Sequence, residues 1–186
     1  MLYLILNLIV RKKISSFRTM KIILMMAMTA DGKIAKSSDH FPNWTSKEDK
    51  KMFAQVTKEH RVVIMGDKTF FTFHQPLLGR LNVVFTLEKN PPQVDNVKWV
   101  SGDPKKVLEA LEKEGYKSAV LGGGAQINSQ FLRLGLIDEI WLTIEPKIFG
   151  KGLGVFNEDF DINLELIDLA KINQNSIVVK YKVIKS

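Results

Sequence analysis

Asp49 is the residue whose position asks for a chemical explanation. In SKEDKKMFAQVTKEH, Met52, Phe53 and Val56 follow it by three, four and seven positions, the spacing of one helical stripe. Lys47, Glu48, Lys50, Lys51, Gln55, Lys58 and Glu59 fall on the opposite side. A carboxylate on the apolar face is costly unless something pairs with it. The ordinary alternative is a first-turn acid that tilts toward water and helps cap the helix. Thr45 or Ser46 supplies the N-cap, with Glu48 or Asp49 placed for a capping box.

A second group of residues could hold phosphate. LGGGAQ (121–126) follows a strand pattern and opens a helical one. Consecutive glycines there let the backbone approach a ligand, and a helix start offers free N–H groups. MGDKTFF (65–71) is a similar corner, with Lys68 and Thr69 able to add a charge and a hydroxyl. Two such corners at the carboxyl ends of parallel strands make the crevice in which open α/β sheets bind dinucleotides.

The elements that must position these residues read out in order. Lys21 to Met28 is too continuously apolar for a half-exposed strand and predicts a central one. Strands follow over 61–65, 81–86, 97–100, 118–121 and 137–145. Helices fall at 45–59, 68–73, 103–114 (opened by Asp103-Pro104 and stopped by Gly115) and 126–134. The tail from Asn163 to Ile184 reads as two strands joined at Asn173-Gln174-Asn175. This alternation predicts an α/β fold of three layers: a mainly parallel sheet, helices on both faces and an antiparallel C-terminal hairpin.

The 186 residues suit one domain, and 45% hydrophobic with 25% charged residues is an ordinary soluble composition. With no cysteine and three scattered histidines (His40, His60, His74), no metal site is expected. The net charge of +7 suits an anionic ligand; no basic stripe with interleaved aromatics points to nucleic acid. Residues 1–19 hold four basic residues and no acid behind an apolar run too short to span a membrane. They read as a leader before a domain of residues 20–186, with Met20 the natural start; any membrane contact is expected through them alone. Their order, apolar before basic, is the reverse of a secretory signal, and a cytoplasmic monomer or homodimer is expected.

MGDKTF, PLLGRLNVVFT, VLGGGAQINSQFL and IDEIWLTIEP, in that order and spacing, resemble the dihydrofolate reductase superfamily. The C-terminal half, GGGAQINSQFLRLGLIDEIWLTIEPKIFGKGLGVF, is more similar to the reductase domain of riboflavin biosynthesis, and TADGKIA leans the same way. The N-terminal half resembles classical dihydrofolate reductases, with Trp44 five residues before Asp49 and Phe53 four after it.

That resemblance implies NADPH-dependent reduction of 7,8-dihydrofolate. Asp49 would hold the pterin edge, Thr143 would support it and Trp44 would close the site. Met26, Ala27, Phe53, Phe73 and Leu77 would form the walls, and Arg80 would grip the glutamate tail. The cofactor would lie along Ala27, Ile34, Gly66, Lys68, Thr69, Thr86, Leu87, Gly122, Gly123, Gly124, Ala125, Gln126 and Ile127.

The chain also departs from the family. Asp67 stands where an arginine usually meets the extra phosphate of NADPH, leaving Lys68 as the nearest cation. Ala125 also occupies an often basic position. QVTKEH lacks an arginine usual in the riboflavin branch, where Lys50 could instead reach a substrate phosphate.

Overall fold

The computed structural model describes residues 19–185. Residues 1–18 of the expected leader lie outside them. The chain runs β1 (Lys21–Thr29), β2 (Lys33–Ala35), α1 (Lys47–Glu59), β3 (Val62–Gly66), α2 (Asp67–Thr72), β4 (Leu81–Phe85) and β5 (Val97–Val100). It continues through α3 (Pro104–Lys113), β6 (Ser118–Leu121), α4 (Ala125–Arg133), β7 (Glu139–Glu145), β8 (Leu153–Gly154), β9 (Leu164–Lys171) and β10 (Ile177–Val183).

Eight strands form one sheet in the order β5-β4-β3-β6-β1-β7-β10-β9. Pairings from β5 through β7 are parallel, and those of β10 with β7 and β9 are antiparallel. The expected architecture is therefore the observed one. Alternate residues of the central strands feed different cores. Ile22, Leu24, Val62, Ile64, Val83, Phe85, Ala119 and Leu121 pack with Leu108, Leu111, Phe131 and Leu132 of α3 and α4. Val63, Met65 and Val84 pack with Phe70 of α2, while Met25 and Val120 meet Val56 of α1. Two buried faces explain the continuous apolar runs.

Strand order reverses between β3 and β1, where β6 inserts. This is the switch point at which a parallel sheet opens a crevice outside its strand ends. The Gly66 N–H donates to the Gly123 carbonyl at 2.9 Å, and the Gly122 N–H donates to Ile64 at 2.8 Å. The two glycine corners are thus bonded to one another. A small second sheet, β2 with β8, was not expected from the sequence. Gly152 beside it admits no side chain, since a Cβ would sit 2.4 Å from the Ala35 carbonyl oxygen.

Candidate active site

Asp49 is buried at the third position of α1, 8% exposed. Ser46 is the N-cap, and its hydroxyl accepts the Asp49 N–H at 3.2 Å. The returning half of a capping box is absent. The Ser46 N–H goes instead to Glu145 Oε1 at 2.7 Å, across from β7. Asp49 is thereby released from capping its own helix, and its carboxylate turns into a cleft of about 1140 Å³. The Thr143 and Thr45 hydroxyls donate to it. Burial nevertheless holds its pKa above the ordinary carboxylate value; those hydrogen bonds pull it down, and the nearby Glu145 charge adds to the rise.

Glu145 is the functional residue that sequence reasoning missed. It is 3% exposed, and its second oxygen accepts the Ser176 hydroxyl at 2.7 Å. Burial pushes its pKa up, but the hydrogen bonds from Ser176 and Ser46 outweigh this and hold the group below its usual value. The available signal was its place two residues after Thr143, on the same face of β7. Glu145→Ala would leave the Ser46 N–H and the Ser176 hydroxyl without their acceptor. A loss of ~1–3 kcal/mol in urea denaturation is expected.

Trp44, Met26, Ala27, Phe53, Phe73, Leu77 and Arg80 line the same end of the cleft. The Phe53 and Phe73 rings are near parallel, 8° apart in plane with centroids 6.4 Å apart. Trp44 packs edge-on against Phe149 at 5.0 Å, and its indole N–H is buried without an acceptor among the described residues. Asp31 holds the Phe149 turn by accepting the Phe149 and Gly150 N–H groups at 3.2 and 2.7 Å. His40 also meets Phe149 edge-on, so the segment over the cleft rests on that ring.

Arg80 is 8% exposed and has no carboxylate partner among the described residues. Its Nε and Nη2 donate to the Leu78 carbonyl at 3.0 and 2.8 Å. Nη1 donates to the Ala54 carbonyl at 3.2 Å and to the Thr57 hydroxyl. Burial lowers its pKa.

Toward the other end, Ile34, Gly66, Lys68, Thr69, Thr86, Leu87, Gly122, Gly124, Ala125, Gln126 and Ile127 line the cleft. Neither Gly66, N-cap of α2, nor Gly124, N-cap of α4, brings a capping side chain; the start of α4 leaves N–H groups for a ligand, while at α2 the Asp67 carboxylate takes the Lys68 N–H. A Cβ on Gly66 would crowd Ile127 at 3.1 Å and one on Gly124 would crowd Thr69 at 3.2 Å. The corners fit a pyrophosphate between them.

One expected cleft residue is placed elsewhere. Gly123 does not line the cleft: it is buried at φ +90, its carbonyl holds Gly66, and Met26 packs on its Cα. Thr143 lies behind Asp49, 1% exposed, and meets the cleft through that carboxylate, the place of a supporting hydroxyl. Among the described residues no three acidic, histidine or cysteine side chains cluster to hold a metal, and no helix is long and apolar enough to cross a membrane.

This combination, a parallel sheet opened at its switch point with a buried acid at one end of the cleft, has the dihydrofolate reductase-like fold. Residues 20–178 match the RibD C-terminal domain, and the chain belongs to that family. A Caenorhabditis elegans protein with a provisional dihydrofolate reductase name is 30% identical over 167 residues, 83% of this chain and 82% of its own. The RibD structure from Acinetobacter baumannii superposes with a TM-score of 0.79 at 18% identity, over 91% of this chain and 60% of that one. Dihydrofolate reductase from Enterococcus faecalis, complexed with NADP(H), gives 0.72 at 20% identity, over 90% and 98%. At such identities the structural likeness speaks to the fold.

Proposed function

We propose that the protein is a reductase that uses a reduced nicotinamide dinucleotide to reduce 7,8-dihydrofolate. The observation that carries this reading is Asp49: a buried carboxylate released from helix capping, backed by Thr143, in an apolar cleft beside two phosphate-ready corners. A carboxylate is the bidentate acceptor that a 2-amino-pyrimidine edge requires.

A nicotinamide, when bound, supplies the hydride. The chain does the rest. Asp49 accepts the 2-amino and N3 hydrogens and fixes the ring; Phe53, Phe73, Leu77 and Met26 hold it by its faces and exclude water. The Trp44 N–H, buried without an acceptor among the described residues, is a donor available to substrate or an ordered water. By the family resemblance N5 takes its proton from water, and orientation supplies much of the acceleration. Arg80, a buried cation with no carboxylate partner among the described residues, suits the glutamate tail. NADPH is the donor that the resemblance implies; the corner at Asp67 is where that choice is made.

A second reading, reduction of a ribosylamino-pyrimidine phosphate in riboflavin biosynthesis, is supported by the family match over residues 20–178. Lys50 at the cleft wall would then face the substrate phosphate. Loss of nicotinamide absorbance with the two substrates side by side separates the readings. Faster turnover of dihydrofolate is expected; turnover of the pyrimidine alone overturns the first reading.

A further inference from the structure

We propose that Asp67 accepts the ribose hydroxyls at the adenosine end of the cleft, so that the protein takes NADH in preference to NADPH. The assignment rests on reading the cleft as a dinucleotide site. The hydride-donating ring must lie beside Asp49, and the pyrophosphate between the two glycine corners. The second nucleoside is then left with the far end, where Thr86, Leu87, Ser101 and Gly102 close the cleft.

Asp67 opens α2 at that end. One carboxylate oxygen accepts the Lys68 N–H at 2.6 Å and the other accepts the Thr86 hydroxyl at 2.8 Å. The group is therefore fixed from two sides, by backbone and by β4. Among the described residues no lysine or arginine pairs with it. An ionised carboxylate has about four acceptor positions, so vicinal hydroxyls of an unphosphorylated ribose still find room. An acid in this role is a general device for holding a ribose diol, where an arginine would accommodate a 2′-phosphate.

The remaining charges do not reverse that preference. Lys68 is exposed at the cleft wall, and Arg133 is held by Glu158 at 2.8 and 3.0 Å. Asp67 and Glu158 thus offset Lys68 and Arg133, and among the described residues lining this end of the cleft no surplus cation is left for a phosphate carrying roughly two negative charges. A 2′-phosphate here would meet the fixed carboxylate directly.

Calorimetric titration of the full chain with NADH and NADPH tests this without turnover. NADH is expected to bind at least ~10-fold more tightly, with the same ratio between ADP-ribose and its 2′-phosphate, because like charges placed together oppose binding strongly. The ratio should shrink as salt screens the repulsion. Asp67→Ser, which keeps a hydroxyl for the Lys68 N–H, should remove most of the preference, and Asp67→Arg should invert it. NADPH binding as tightly as NADH to the unaltered protein overturns the assignment, whatever the variants do. Binding of neither dinucleotide overturns both it and the proposed cofactor cleft. NADH preference with no reduction of either substrate upholds it and overturns only the proposed reaction.

Discussion

Asp49→Asn is expected to leave the fold intact and to lower dihydrofolate turnover at least ~10²-fold, the scale for removing a polar group that acts in the transition state. Asparagine keeps the shape and an acceptor for the Thr143 and Thr45 hydroxyls. It also replaces one acceptor oxygen with an amide that opposes the 2-amino edge, and it removes the charge. Near wild-type turnover would end the assignment.

The same substitution carries a stability signature of definite sign. Burial raises the Asp49 pKa in the folded protein above the unfolded value near 3.8. Between those two values the folded state binds more protons than the unfolded one, so ionising Asp49 costs stability as pH rises through that window. The variant should lack this loss and melt at or above the wild-type temperature at neutral pH. A catalytic carboxylate held against burial predicts this inverse relation of activity and stability. A merely structural acid would give a less stable variant. Activity of the unaltered enzyme should itself fall as pH rises, because the product takes up a proton.

Most of the frame that places Asp49 was legible because two-face burial leaves a continuous mark. Runs such as IILMMAM and VVIM are apolar at every position, and Asp49 stood out only against the regular stripe of Met52, Phe53 and Val56. Reading that helix alone suggested that a first-turn acid would close a capping box. The structure gives that duty to Glu145, 99 residues from Ser46, and no local pattern could reveal an acceptor supplied by the packing of β7 against the start of α1.

The three glycines posed a similar limit. Sequence marks all of 122–124 as permissive, yet only the backbone path decides that Gly122 and Gly124 face the cleft while Gly123 turns back to hold Gly66. The β2–β8 pair is too short to show any period. Arg80 was visible as a charge, but not how far its guanidinium is already engaged.

That engagement shapes what Arg80→Leu should do. The guanidinium offers five N–H groups, and the contacts to Leu78, Ala54 and Thr57 occupy all but one, on Nη2. The protein therefore holds the fork rigid and presents a buried positive charge with a single free donor. The grip on a tail carboxylate would come from that donor and the uncompensated charge rather than from a fully bidentate pair. Losing it should weaken dihydrofolate binding by ~2–3 kcal/mol, the lower part of the range for breaking a buried charge pair. Affinity for a dihydropterin lacking the glutamate tail should hardly move, nor should affinity for the nicotinamide dinucleotide. The same change strands the Leu78 carbonyl, which takes both Nε and Nη2, while the Thr57 hydroxyl keeps the Phe53 carbonyl at 2.6 Å, so a parallel loss of ~1–3 kcal/mol in folding stability is expected. Arg80→Lys keeps the charge and recovers part of the binding but little of that stability. Equal losses for the substrate with and without its tail would mean that Arg80 only braces α1 against the turn at Leu78, and that the anion it faces is not part of the substrate.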